Sequence, residues 1–337
     1  MNDANEVSPD LFWRTMTAFQ HSAALKAAVE LDVFTAIDNG ARSAAAIAES
    51  TGAAERGVRI LCDSLTVIGF LTKSNNEYAL TPSSAAFMSR NSRQFIGSAV
   101  EFIMAPAQRR GFDELAEAVR KGGSSVSGDA SLDPESPMWV TFARAMMPLM
   151  FPASQMIAER IGADTQQDLK VLDIAAGHGI FGISVAQKFP NAQIYALDWA
   201  NVLTVATENA EKFGVGDRHH LIKGSAFDTD FGEGYDVVLL TNFLHHFDVE
   251  TCTELLKKIH KALKPDGRVF TLEFVPNEDR VSPPPEALFS IVMLAATPAG
   301  DAYTFPELKA MFEDAGFSRS EIESLDPVPQ HLIVSYK

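Results

Sequence analysis

The run Lys170-Val171-Leu172-Asp173-Ile174-Ala175-Ala176-Gly177-His178-Gly179 decides the fold. A strand-length apolar segment, Val171 to Ile174, enters a turn of small residues, and helical spacing resumes from Phe181 to Lys188. Small residues at such a turn let the backbone approach a ligand, and the helix that follows adds the partial positive charge of its first turn. From there to the end, apolar runs alternate with helical stretches. Strands are expected at Gln193 to Leu197, Leu221 to Lys223, Asp236 to Leu240, Arg268 to Phe274, Ile322 to Leu325 and His331 to Tyr336. Helices are expected at Val202 to Phe213, Val249 to Leu263 and Phe305 to Ala315. That alternation predicts an α/β fold: a doubly wound, mostly parallel sheet of seven strands whose ligand sits at the carboxyl ends of the strands.

Upstream the texture differs. Leu11, Met16, Phe19 and Ala23 recur at near-helical spacing. Expected helices at Ser43 to Thr51 and Ala54 to Gly69 then lead into Phe70-Leu71-Thr72 and Tyr78-Ala79-Leu80, which bracket the polar turn Lys73 to Glu77. Helix, turn, helix, hairpin is the pattern of a winged helix. Residues 1–100 carry eight Lys/Arg against ten Asp/Glu, which disfavours DNA as a partner and points to dimerisation and covering of a substrate. The organisation read from these shifts is a winged-helix dimerisation domain over residues 1–100, a helical linker and pocket region over 101–162, and the sheet domain over 163–337. The middle region contains a polar Gly/Ser break at Lys121 to Asp129. It also holds a cluster of Trp139, Phe142, Met146, Met147, Met150 and Phe151, which suits ordinary core and a ligand pocket equally well.

The totals narrow the function classes. Of 337 residues 46% are apolar and 21% charged, which excludes disordered and disulfide-scaffold classes. Lys plus Arg number 28 against 44 Asp plus Glu, a net charge of −16 that repels nucleic-acid backbones and anionic membranes. The two cysteines, Cys62 and Cys252, fall in expected helices and read as buried free thiols of a reducing compartment. Met1 to Asp10 lacks the basic and apolar regions of an export signal, and no apolar window approaches the roughly 20 residues of a membrane span, so a cytoplasmic location is expected. No metal is expected: His219-His220 has no partner at ligand spacing, and neither H-x-x-x-H nor C-x-x-C occurs.

Gly177, Gly179 and Gly182 satisfy the G-x-G-x-x-G fingerprint, so NAD competes with S-adenosylmethionine for the glycine turn. Asp173, just before the turn, is placed to face a cationic ligand and would repel a pyrophosphate. Asp198, which ends the next strand in Ala196-Leu197-Asp198-Trp199, is placed to accept two ribose hydroxyls and serves either cofactor. His178, inside the turn, is expected to point to solvent or to neighbouring loops.

Asp173 to Gly179, Asp198, Gly224-Ser225-Ala226-Phe227, Asn242-Phe243-Leu244-His245-His246-Phe247-Asp248 and Asp266-Gly267-Arg268-Val269-Phe270 together resemble a class I S-adenosylmethionine-dependent methyltransferase of Rossmann-like fold. More narrowly they resemble the caffeate, hydroxyindole and bacterial polyketide O-methyltransferases, whose members carry an N-terminal winged-helix dimerisation domain. The resemblance implies a homodimer that binds S-adenosylmethionine through Asp173, Ala175, Gly177, Gly179, Asp198, Trp199, Ser225, Ala226, Phe227 and Asn242. It implies His245 as general base, flanked by Glu273, with His246 in a supporting role. It implies an acceptor pocket of Phe142, Met146, Met293 and Thr297 and, because three of these are apolar, a small, flat, mostly apolar acceptor methylated on a phenolic or enolic hydroxyl. Relatives of this architecture also methylate sulfur, nitrogen or carbon, and a non-catalytic ligand-sensing regulator is the reading from another class. The sequence departs from the family's pattern in four places. Ala302 stands where plant members have a second flanking glutamate, with Asp301 beside it; Ser225 replaces an Asp; Thr241 replaces a Lys; and Ala175 and Ala176 replace two glycines.

Overall fold

The computed structural model describes residues 7–126, 135–162 and 168–337, so part of the expected Lys121 to Asp129 loop lies outside the described residues. The chain divides into two compact units, one ending at Met104 and the other beginning at Ala105.

In the first unit, helices Asp10–Glu30, Val33–Asp38, Ala44–Thr51 and Glu55–Ile68 precede a hairpin of strands β1 (Leu71–Ser74) and β2 (Glu77–Leu80). The Ser43 hydroxyl caps the third helix by accepting from the Ala46 amide at 3.2 Å. Asn75 and Asn76 both take positive φ, 48° and 61°, the geometry of a two-residue hairpin turn whose twist matches that of the strands. Phe34, Ile47, Leu65 and Tyr78 form the buried centre. Leu11, Phe12, Trp13, Met16 and Phe19, on the first half of the first helix, are each more than half exposed.

The second unit is built on a seven-stranded sheet of β3 (Lys170–Ile174), β4 (Gln193–Asp198), β5 (His219–Lys223), β6 (Tyr235–Thr241), β7 (Leu263–Glu273), β8 (Arg319–Ser324) and β9 (His331–Tyr336). Their order in the sheet is β5-β4-β3-β6-β7-β9-β8, parallel from β5 through β7, with β9 antiparallel to both neighbours. Val171, Leu172 and Ile174 of β3 and Val238, Leu239 and Leu240 of β6 are fully buried, as strands covered on both faces must be. The helix Pro137–Ile161 packs on helices Ile180–Lys188 and Ala200–Lys212 on one side of the sheet. Strand order reverses between β3 and β6, and such a switch point opens a crevice at the carboxyl ends.

Among the described residues no helix is long and apolar enough to cross a membrane, and no group of three or more His, Cys, Asp or Glu side chains is placed to hold a metal ion. Cys62 and Cys252 are buried and unpaired in disulfides.

Candidate active site

A cavity of about 320 Å³ opens at the switch point, within the 300–1,000 Å³ typical of ligand pockets but at its lower end. Its floor is the turn after β3. Ala175 sits there at φ 54°, in the left-handed region that favours glycine, so the alanine carries backbone strain of about 1 kcal/mol. At Gly182 a Cβ would meet Ile194 Cγ2 at 2.5 Å, so the third glycine of the fingerprint lets helix Ile180–Lys188 lie against the sheet.

Two carboxylates organise this turn from different depths. Asp198 lines the cavity, its Oδ2 accepting from the Gly177 amide at 2.8 Å and its Oδ1 from the Trp199 amide at 2.7 Å. Burial pushes its pKa up to about 6 against those two amides, which favour the anion. Asp173 is fully buried one layer behind the wall, with Oδ2 accepting from the Gly182 amide at 3.1 Å and Oδ1 unpartnered. Burial pushes it up to about 7.

His178 points neither to solvent nor to a neighbouring loop but to helix-borne rings. It is buried on the cavity wall, its ring stacked with Phe142 (centroids 6.5 Å apart) and its Nδ1 accepting from the Ile180 amide at 3.3 Å. Burial lowers its pKa to about 4, so it is a neutral, apolar-faced wall. The Ile180 and Gly182 amides are two of the free donors a helix start would offer to a pyrophosphate, and His178 and Asp173 already occupy both. The turn therefore suits a ligand without phosphates.

Ser225, Ala226 and Phe227 form another wall, with Ser225 Oγ accepting from the Phe227 amide at 3.1 Å. Lys258 fastens this loop from behind by donating to the carbonyls of Ala226, Phe227 and Thr229 at 3.0, 2.9 and 2.6 Å. Asn242, at φ 53°, projects into the cavity after β6 and contacts Met150 Sδ at 3.6 Å.

His245 and Glu273 lie together at the carboxyl ends of β6 and β7, both buried, and neither lines this cavity. Glu273 Oε2 meets His245 Nδ1 at 2.5 Å, while Oε1 accepts the amides of Phe243 and Leu244 at 3.0 and 2.8 Å. With both carboxylate oxygens taking donors, Nδ1 carries the ring proton and Nε2 is left as the basic nitrogen. His246 is on the cavity wall instead, edge-on to Trp139, and burial followed by the neighbouring His245 holds its pKa well below the usual value.

A family model described as an O-methyltransferase domain matches residues 112–318, and one described as an O-methyltransferase dimerisation domain matches residues 13–90. The chain belongs to the O-methyltransferase family. It is a methyltransferase enzyme that uses S-adenosylmethionine, and the turn after β3, with its Ile180 and Gly182 amides already taken, suits that phosphate-free cofactor. A crystal structure of a candidate O-methyltransferase from Nostoc punctiforme is 52% identical and superposes with a TM-score of 0.94, covering 99% of this chain and 100% of that one. The mitomycin biosynthesis 6-O-methyltransferase of Streptomyces lavendulae is 27% identical over 87% of this chain and 84% of its own. Human N-acetylserotonin methyltransferase, solved in complex with S-adenosylmethionine, shares the fold at 22% identity and a TM-score of 0.84, over 100% of this chain and 99% of its own.

In this O-methyltransferase the structure brings Ala175, Gly177, Asp198, Trp199, Ser225, Ala226, Phe227, Asn242 and Phe142 to one cavity. Asp173 lies behind it, and Gly179, at φ 73°, caps helix Ile180–Lys188 where an added Cβ would meet Ala206 Cβ at 3.0 Å. Met146 packs on the core beneath the sheet. Met293 and Thr297 are buried outside the cavity, and the Thr297 hydroxyl donates to the Met293 carbonyl at 2.8 Å while accepting the Gly300 amide. Asp301 is half-buried and paired with Arg280 at 3.3 Å, and Ala302 is fully buried. Sequence reasoning missed Lys258, which nothing local separates from Lys257 and Lys261 on the amphipathic helix Val249–Ala262.

Proposed function

We propose that this O-methyltransferase methylates a phenolic or enolic hydroxyl of a small, flat, mostly apolar molecule, with His245 as general base and Glu273 orienting it. The observation that carries this reading is the 2.5 Å contact of His245 Nδ1 with Glu273, which leaves Nε2 as the nitrogen able to take a proton. Asp198 would hold the ribose of S-adenosylmethionine, with Trp199, Ser225, Ala226 and Phe227 around the adenosine and Ala175, Gly177 and Asn242 toward its amino-acid end. When bound, that cofactor supplies an electrophilic methyl group on a sulfonium.

A phenol with pKa near 10 and a histidine near 6.5 differ by about 3.5 units, so proton transfer ahead of attack is uphill by roughly 5 kcal/mol. Proton removal by His245 therefore accompanies methyl transfer. A general base contributes roughly 10²–10⁴-fold, about 3–5 kcal/mol, whereas holding two reactants in line contributes roughly 7–11 kcal/mol. Phe142, Met293 and the packing around them thus matter as much as the base.

Relatives in the same family act on aromatic and polyketide molecules by their names, among them 3-hydroxy-5-methyl-1-naphthoate and acetylserotonin, which supports an aromatic acceptor here. The protein acts as a homodimer joined through its first unit. The exposed Leu11, Phe12, Trp13, Met16 and Phe19 support this, since a lone unit would leave that apolar surface in water. Light scattering tests it: twice the chain mass is expected, and a monomer at micromolar concentration contradicts it. For the activity, incubation with S-adenosylmethionine and a panel of phenols and enols, read by mass spectrometry, is expected to yield O-methyl ethers. Methylation only of thiols, amines or ring carbons would contradict the hydroxyl acceptor.

A further inference from the structure

Glu286 is a buried carboxylate without a partner. It is 6% exposed, its Oε2 has no hydrogen-bond partner, and among the described residues no hydrogen bond or ion pair reaches it. The sequence explains why. Glu286 is the third residue of helix Pro284–Ala296, where a glutamate ordinarily turns back to cap the amides at the helix start. Here the cap and the first two helical positions are Pro283, Pro284 and Pro285, and proline has no amide hydrogen to offer. The local donors that would satisfy this side chain are absent from the chain itself. A buried carboxyl oxygen without a hydrogen-bond partner is costly, and a donor from outside the fold would satisfy it.

Its place in the fold indicates what that partner is. Glu286 and Met293, seven residues apart, fall within about 20° of one line along the helix, and Phe289 lies one turn from Glu286 on the same side. Met293 is buried, and the Phe289 ring stacks on Phe274 at 4.0 Å and meets His245 edge-on at 4.9 Å. Glu286 thus stands one helical turn from Phe289, whose ring meets the base.

We propose that Glu286 binds the methyl acceptor, receiving a protonated amine or other N–H donor at the end of the molecule remote from the hydroxyl. This inference rests on the O-methyltransferase reading with His245 at the hydroxyl end, and it narrows the acceptor to an aromatic molecule that carries a basic nitrogen. A charge-assisted hydrogen bond in such surroundings discriminates against a neutral isostere by an order of magnitude or more.

Three phenols of matched shape test it: tyramine, 4-ethylphenol and 3-(4-hydroxyphenyl)propionate, titrated calorimetrically into the full-length protein saturated with S-adenosylhomocysteine. Wild type is expected to bind tyramine at least tenfold more tightly than 4-ethylphenol and the propionate most weakly. In Glu286→Gln the ratio of tyramine to 4-ethylphenol should fall to about one. The ligand-free variant should melt at the wild-type temperature or above it, because the side chain that is changed has no partner within the fold. A wild type with no preference for tyramine overturns the proposal, as does a preference that persists in Glu286→Gln. A variant that melts several degrees lower overturns it too, since the carboxylate would then be holding the fold. S-adenosylhomocysteine affinity separates the two levels: loss of that binding in wild type would sink the reading of the site, whereas intact binding with no tyramine preference sinks only the role of Glu286.

Discussion

The cofactor wall and the acceptor side of this site meet at the ends of β6 and β7, yet they are built from different materials. The cofactor wall is mostly backbone: the Gly177 and Trp199 amides on Asp198, the Phe227 amide on Ser225, and a turn held at positive φ by Ala175 and Gly177. The acceptor side is side chain on side chain: Glu273 on His245, Phe289 between His245 and Phe274, Met293 and Thr297 buried behind. Backbone geometry is set by a few residues close in sequence and tolerates exchange of neighbouring side chains. A side-chain wall depends on each volume and hydrogen bond from distant segments.

Substitutions on each side should separate accordingly, the largest effect being on the acceptor side. His245→Ala should lower kcat by roughly 10²–10⁴-fold, as loss of a general base does, while calorimetric affinity for S-adenosylhomocysteine stays within about twofold. A large loss of cofactor affinity would mean that the two sides are one structure. On the cofactor wall, Asp198→Asn should weaken S-adenosylhomocysteine by roughly 10–150-fold, the equivalent of a charge-assisted hydrogen bond, with kcat at saturating cofactor changing far less. Because burial holds Asp198 at about 6, affinity in wild type should also fall as pH drops below that value, and the Asn variant should lack the dependence.

Smaller effects concern the turn itself. Asp173 has a folded pKa of about 7 against 3.8 when free. Between those values the folded chain retains a proton that the unfolded chain has released, so this group favours the fold at the acid end and its contribution is lost as pH rises toward 7. Asp173→Asn should flatten that fall in Tm, and an unchanged slope would mean that Asp173 ionises as in water. Ala175→Gly should relieve the left-handed strain, offset in part by the added freedom of the unfolded chain, for a net gain of up to about 1 kcal/mol in denaturant titrations. A net loss would show that the Ala175 methyl packs usefully against the cavity.

The same difference in construction explains what could be read from the sequence. The central strands and the turn were legible because burial on both faces leaves unbroken apolar runs and the small residues of the turn are adjacent, whereas the helix Pro284–Ala296, apolar nearly all round, carried no helical period and was not expected. Asp198 was legible as a strand-end residue, and Asn242 only through the family resemblance. The depth of Asp173, one layer behind the wall, was not, because sequence position gives the end of a strand and not the direction in which its side chain leaves. His178, expected to point to solvent or to neighbouring loops, is buried for the same reason, since nothing local announces that Phe142 will cover it. The mixed Met/aromatic cluster split in the structure: Trp139, Phe142 and Met150 line the cavity, while Met146, Met147 and Phe151 pack on the core. One helix carries both faces, and only its docking decides between them.

The central claim is that His245, oriented by Glu273, takes the proton of the acceptor hydroxyl. The pH dependence of kcat, measured with saturating S-adenosylmethionine and a phenol that turns over, in wild type and His245→Ala, tests it most directly. Wild type should lose rate as pH falls through the titration of a histidine, and His245→Ala should be slower at neutral pH and lack that acidic limb. An alanine variant that keeps the wild-type rate and the same acidic limb would contradict the claim and assign the proton transfer to another group.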